Sequence, residues 1–240
     1  MKPKEWDLSG KNALITVGGN IIGPSAIAAL QESGANVAVL NFESQHTHDE
    51  YMEYFVERNN RDSLISVLDQ IENKLGPIDI LVNSSQTVFG KPILDVTDIE
   101  LDFLLDANIR NTFLVLQEVG KKMLSNGYGR IINLISAVSQ RGLKDAVLYS
   151  GTQAAIAQMT KSLSLEWSLE NIRINSIAMG WFDGEVTTES QIQDLIKYIP
   201  LRRLGELDEI GPLLVYLASE YSEFITGQTL FIDGGAASHA

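Results

Sequence analysis

Apolar residues fall into two kinds of run along this chain: short, nearly continuous ones, and longer stretches where they recur every third or fourth position. The two kinds alternate. Asn12 to Val17 (NALITV) predicts a buried strand, a glycine loop follows, and a helix runs from about Pro24 to Ser33. Pro24 suits a first helical turn and Gly34 a helix stop. Asn36 to Leu40 predicts a second strand and Met52 to Val56 a short third. Leu64, Ile65, Leu68, Ile71 and Leu75 share one face of a helix from Arg61 to Leu75, which Gly76-Pro77 closes. Ile78 to Val82 gives a fourth strand, and Asp98 to about Asn126 a long helix that Gly127 and Gly129 end. Arg130 to Ile135 is the fifth strand and Leu148 to Leu169 a second long helix. Arg173 to Ala178 is the sixth strand. Two short helices, Glu189 to about Tyr198 and Glu206 to Ser219, precede a last strand from Thr229 to Ile232.

Strands and helices that alternate over short connections predict an α/β fold. The sheet is parallel and doubly wound, with helices on both faces, in a single domain spanning residues 1–240. Ligands of such a sheet sit beyond the carboxyl ends of the strands, where the strand order reverses. The segments that follow the strands are 17–23, 41–46, 57–60, 83–90, 136–149 and 179–188, and candidate chemistry belongs there.

Two of those segments carry the most specific pattern. Ser136 ends the strand Gly129-Arg130-Ile131-Ile132-Asn133-Leu134-Ile135, and Tyr149, thirteen residues later, opens the next helix. Asp106-Ala107-Asn108-Ile109-Arg110-Asn111-Thr112 places an asparagine inside the preceding long helix. Ile172-Arg173-Ile174-Asn175-Ser176-Ile177 and Phe224-Ile225-Thr226-Gly227-Gln228 through Asp233-Gly234-Gly235 complete the series. In this order the segments resemble the short-chain dehydrogenase/reductase family along essentially the whole chain, and the resemblance implies its Rossmann-like fold. It also implies roles: the Tyr149 hydroxyl exchanges a proton with the substrate while NAD(P) moves a hydride, Ser136 hydrogen-bonds the substrate oxygen, and Asn108 holds a water in a proton relay. The family's lysine, four residues after the tyrosine, lowers its pKa and holds the ribose.

The chain departs from that pattern around the coenzyme. The family's Thr-Gly-x-x-x-Gly-x-Gly loop aligns with Thr16-Val17-Gly18-Gly19-Asn20-Ile21-Ile22-Gly23, where only Gly23 keeps its place. Such glycines let the backbone turn tightly and approach the diphosphate. Val17 and Ile21, β-branched, are expected to block that approach and to resist φ > 0. Gly18 and Gly19 leave room for a re-registered loop. The family's Asn-Asn-Ala-Gly after the fourth strand is Asn83-Ser84-Ser85-Gln86, which puts bulk where the family has glycine. Its Pro-Gly after the sixth strand is Met179-Gly180, and the segment after Asn41 leaves no room for a full helix. Glu43 is placed either to bind a ribose or to sit exposed in a loop.

Gln153 stands where the family's lysine belongs. One helical turn from Tyr149, it is expected to reach the tyrosine without bringing a charge. Moving a tyrosine from about 10 to about 7 takes roughly 4 kcal/mol of preference for the phenolate. A neutral amide hydrogen bond supplies about 1 kcal/mol. Tyr149 is therefore expected to stay protonated, a donor and an acid rather than a base. Arg141 and Lys144 are the nearby candidates for the missing cation, with solvated loop positions as the alternative.

Charge and composition narrow the partners. A net charge of −13 argues against nucleic acid and anionic membranes. Zero cysteines exclude disulfides and thiolate chemistry. The uncharged run Asn12 to Gln31 is broken by Gly18, Gly19, Asn20, Pro24 and Ser25, so it is no membrane span; with no secretion signal, a soluble cytoplasmic protein is expected. His46-Thr47-His48-Asp49-Glu50 lacks ligand spacing and is taken as a polar loop, so no metal is expected. Trp181 and Phe182 follow the sixth strand and serve either an apolar substrate pocket or ordinary packing. Arg202-Arg203 is taken as a structural ion-pair site.

Three functions are weighed. The favoured one is a non-redox enzyme acting without a nicotinamide cofactor on a small oxygenated substrate, with Ser136 and Tyr149 in acid-type elimination, isomerisation or ring opening. It is similar to the halohydrin dehalogenases, which share the fold and the Ser–Tyr pair but carry arginine at position 153. The second is a divergent NAD(P)-dependent oxidoreductase built on Gly18 and Gly19. The third is a non-catalytic partner or sensor. The resemblance also implies a homodimer or homotetramer through the helices at 98–126 and 148–169.

Overall fold

The short apolar runs become seven strands: β1 (Asn12–Val17), β2 (Asn36–Asn41), β3 (Met52–Phe55), β4 (Ile80–Asn83), β5 (Gly129–Ser136), β6 (Ile172–Met179) and β7 (Thr229–Ile232). They lie in the order β3-β2-β1-β4-β5-β6-β7, and every pairing is parallel. The computed structural model describes residues 6–17, 21–42, 52–84, 86–184 and 188–238. The helices are α1 (Ile22–Glu32), α2 (Arg61–Leu75), α3 (Asp98–Leu104), α4 (Asn111–Asn126), α5 (Val147–Trp167), α6 (Glu189–Tyr198) and α7 (Gly211–Ala218). The doubly wound, Rossmann-like sheet expected from the sequence is the one observed.

Neighbouring strand residues point to opposite faces, and each face meets its own helices. Ile15, Val39, Val82 and Ile132 pack on Ile22, Ile27 and Leu30 of α1 and Leu214 of α7. Leu14, Leu40, Leu81 and Ile131 pack on Leu64, Leu68 and Ile71 of α2 and Val115 and Val119 of α4. All these side chains are almost fully buried. Among the described residues no helix is long and apolar enough to cross a membrane.

Beyond shifts of one or two residues at other ends, three elements differ from the sequence expectation. The long helix at 98–126 is divided by a π-helical stretch, Leu105–Arg110, between α3 and α4. The helix expected from Glu206 opens as a 3-10 turn, Leu207–Ile210, and α7 begins only at Gly211. The fourth strand starts at Ile80 because Asp79 is already occupied as a clamp. Its N–H donates to the Asn12 carbonyl and its carboxylate accepts from Asn12 N.

From β1 the chain winds outward to β2 and β3, then returns to place β4 on the other side of β1. That reversal opens a crevice above the carboxyl ends of β1 and β4. The register brings Thr16, Asn83 and Asn133 level across it.

Candidate active site

The floor of the crevice is a hydrogen-bonded pair. Thr16 Oγ1 donates to Asn83 Oδ1 at 2.9 Å and accepts from Ser84 N at 2.9 Å. Asn83 Nδ2 is left buried without a hydrogen-bond partner, an orphan that a ligand's oxygen would satisfy. Beside it α1 begins at Ile22 with Gly23 in its first turn. Ile21 gives it no side-chain cap, and no acidic residue sits in that turn. A helix start of this kind suits a diphosphate.

The expected steric block does not materialise among the described residues. Ile21 has φ −73°, an ordinary right-handed backbone, so its position makes no demand for glycine. Val17 and Ile21 are partly buried and pack against the core. Gly18 and Gly19, with Glu43, Ser85 and the stretch His46 to Glu50, lie outside the described residues. By its helix start, its orphaned amide and its position at the reversal, the crevice fits a dinucleotide.

Ser136 and Gln153 are joined at the end of β5, and Tyr149 packs on Val138 just beyond it. β4 stops at Asn83 opposite Asn133, so β5 outruns it. Gln153 Oε1 accepts from Ser136 N at 2.9 Å, and its Nε2 lies 3.5 Å from Thr152 Oγ1. The amide expected to reach the tyrosine serves the strand end and Thr152, and it is fully buried. Ser136 Oγ accepts from Val138 N at 3.4 Å. Tyr149, 8% exposed, packs with Leu104, Val138, Phe89 and Leu148. Its hydroxyl donates to Gln86 Oε1 at 3.3 Å, and Gln86 Nε2 donates to the Leu134 carbonyl. Gln86, expected only as bulk, is a partner of the tyrosine.

Asn108 lies in the π-helical stretch, fully buried. Its Oδ1 accepts from Thr87 N at 2.8 Å, and its Nδ2 donates to Thr87 O at 3.0 Å and Thr152 Oγ1 at 3.2 Å. Thr152 Oγ1 in turn donates to Tyr149 O at 2.7 Å. An extra residue in a helix re-aims the side chains around it, a device common at functional sites. Here it points Asn108 at the loop after β4. Thr87 and Thr152 went unnoticed in the sequence, where nothing but their polarity distinguishes them. The same loop meets the one before α5, since Lys91 N donates to Asp145 O at 2.5 Å.

Neither candidate cation substitutes for a lysine at 153. Arg141 Nη1 donates to Ala236 O at 2.5 Å, and its guanidinium stacks 4.6 Å from the Tyr198 ring. Lys144 is exposed. Phe182, 1% exposed, belongs to the core and is pressed against Gly205. Trp181 meets Tyr198 edge-on, ring centroids 5.6 Å apart. Both aromatics border a cavity of about 440 Å³ between the ends of β6 and β7 and residues 199–205; Ser136 and Tyr149 do not line it. Arg203 makes the expected ion pair, a two-pronged one to Glu209 at 2.6 and 2.7 Å.

Comparison with known proteins supplies the context. A family model described as enoyl-(acyl carrier protein) reductase matches residues 20–237. Gluconate 5-dehydrogenase of Gluconobacter oxydans is 30% identical, with 97% of each chain covered. Among solved structures, a putative short-chain alcohol dehydrogenase from Sinorhizobium meliloti superposes with a TM-score of 0.89 at 30% identity, covering 99% of this chain and 100% of that one. A gluconate 5-dehydrogenase from Burkholderia cenocepacia, solved with NADP and tartrate, superposes with a TM-score of 0.89 at 28% identity over 98% of each chain.

These findings correct two expectations. End-to-end relatives named as dehydrogenases, one of them holding NADP, overturn the non-redox enzyme and the absence of a nicotinamide cofactor. None of the proteins above is named as a dehalogenase.

Proposed function

Because the chain belongs to the short-chain dehydrogenase/reductase family, we propose that it is an NAD(P)-dependent oxidoreductase that reduces the carbonyl group of a small, oxygen-rich substrate. The oxygen-rich substrate class is suggested by gluconate 5-dehydrogenase and by the tartrate beside NADP in the solved relative. The observation that carries the direction is the Tyr149 hydroxyl, buried and already acting as a donor.

A bound nicotinamide would supply the hydride. Asn83 Nδ2 and the first turn of α1 would hold the dinucleotide. Ser136 keeps its own hydroxyl hydrogen while Oγ accepts from Val138 N, so it can donate to the substrate's carbonyl oxygen. Tyr149 gives its proton to that same oxygen as it gains electrons. With a glutamine at 153 and Arg141 committed to Ala236, no cation described here favours the phenolate. That suits Tyr149 to the acid role of reduction. Gln153 fixes Ser136 by its backbone, and Asn108 fixes the loop after β4.

The test is consumption of NADH or NADPH, followed by near-ultraviolet absorbance, with keto-aldonates and keto-polyols as substrates. Turnover by the wild type that Tyr149→Phe abolishes supports the proposal. Equal rates for the two proteins contradict it.

The assembly proposed is a homodimer or homotetramer. Ile99, Phe103 and Phe113, each more than half exposed, lie along α3 and α4, and a second copy would cover them. Light scattering on a sizing column checks this, and a monomer at micromolar concentration would refute it. A cytoplasmic location accords with the use of a shared coenzyme pool.

A further inference from the structure

Gln86 occupies a position where the family has glycine, and both ends of its side chain are held. Its amide nitrogen donates to the Leu134 carbonyl, which can only accept, so the two ends of the amide cannot be exchanged. Oε1 is left facing Tyr149, and across that 3.3 Å contact the phenol is the donor. The backbone carrying Gln86 is pinned on both sides. Ser84 N donates to Thr16 Oγ1, and Thr87 exchanges two hydrogen bonds with Asn108. Leu104, Val138, Phe89 and Leu148 pack on the Tyr149 side chain.

We propose that Gln86 is a positioning residue, which aims the Tyr149 hydroxyl and holds its hydrogen until the substrate's carbonyl oxygen takes over that hydrogen bond. This rests on Tyr149 being the proton donor of the reduction described above. An amide oxygen accepts from a phenol but repels a phenolate, so the contact suits a tyrosine that waits protonated. At 3.3 Å the bond is longer than an ideal O–H···O contact, and an incoming carbonyl oxygen displaces it at small cost. The family's glycine has no atom for this task.

The deciding experiment is the alkaline titration of the Tyr149 phenol. It is read as the ultraviolet absorbance of each protein minus that of the same protein carrying Tyr149→Phe, without coenzyme or substrate. In Gln86→Glu a carboxylate replaces the amide oxygen, and the midpoint is expected to rise by about one pH unit, a tenfold loss of phenolate at a given pH. In Gln86→Gly water replaces the amide, and the midpoint is expected to fall. Midpoints within about 0.2 unit of wild type in both variants overturn the proposal, since a purely structural role would alter the melting temperature and leave the phenol alone. If Gln86→Glu does not fold, Gln86→Gly decides by itself: a lower midpoint supports the proposal, and an unchanged or higher one overturns it. Failure of the enzyme to bind NADH or NADPH would contradict the proposed function while leaving this titration readable.

Discussion

Asn108 holds Thr87 by both of its backbone groups, accepting from its N–H at 2.8 Å and donating to its carbonyl at 3.0 Å. A single helix side chain thereby acts as the missing strand neighbour for the loop after β4. The same amide nitrogen reaches Thr152, which bonds the Tyr149 carbonyl. Loop, π-helical stretch and the first turn of α5 form one unit around the tyrosine.

Removing that amide should loosen all three. Asn108→Ala leaves the half-buried Thr87 N–H and carbonyl without partners, at up to about 1–3 kcal/mol for an unsatisfied group. Urea unfolding measures the loss. Asn108→Asp keeps the acceptor for Thr87 N and gives up the donor, so it should fall between wild type and alanine.

Restoring the family's lysine should not stabilise this chain. Gln153→Lys has no acceptor for Ser136 N, now satisfied at 2.9 Å, and it puts an ammonium where the side chain is fully buried. A stability loss of about 1–3 kcal/mol is expected. Gln153→Glu, which keeps an acceptor at that place, tests whether Ser136 N is the reason: if it is, the glutamate variant at a pH where it is protonated should be the more stable.

Gly180 carries the chain past β7. A Cβ there would stand 2.7 Å from Asp233 Cα, a backbone atom that cannot swing aside. Gly180→Ala should destabilise by about 1–3 kcal/mol through overpacking. It should also shift Trp181, visible as a change in tryptophan fluorescence. An unchanged melting curve would show that β7 yields easily.

Two surface carboxylates contribute to the acid limb of stability. Lys91 first, then the Thr97 N–H and hydroxyl, hold Glu100 down at about 2 from 4.5. Arg203 first, then the Glu206 N–H, does the same for Glu209, also to about 2. Depressed carboxyl pKa values stabilise the fold above the unfolded value, and that contribution is lost as pH falls from about 4.5 through about 2. The doubly substituted Glu100→Gln/Glu209→Gln protein should therefore show a flatter decline in melting temperature across that window. Because both groups are solvent-exposed, the difference should be modest and should shrink with salt.

Arg141, Tyr198 and the C-terminal segment meet at one atom. The Ala236 carbonyl accepts from Arg141 at 2.5 Å and from the Tyr198 hydroxyl at 3.2 Å. Arg141→Ala should raise amide exchange at Gly235 and Ala237 while leaving β5 protected. Unchanged exchange at the tail would show that Asp233, which accepts from both amides, suffices.

Where side-chain period and local punctuation decide structure, the sequence was readable. β1 and α2 begin and end at the residues expected, because a continuous apolar run and an Asn60-capped amphipathic face leave little freedom. The π-helical stretch was not readable: one extra residue inside a helical pattern leaves the composition unchanged. α7 starts late because Gly211-Pro212 breaks the turn before it, although the apolar pattern runs through. In the site, Ser136 and Tyr149 stood out by their places on strand and helix. The partners of Gln86, 48 and 63 residues away in sequence, follow from tertiary packing alone. So does the packing of Val17 and Ile21 against the core.

Coenzyme binding tests the account most directly. Titration of the wild-type protein with NADH and NADPH, followed by coenzyme fluorescence, should give a saturable signal for at least one of them, displaced by the matching oxidised form. No saturable signal from either coenzyme up to millimolar concentration would contradict it.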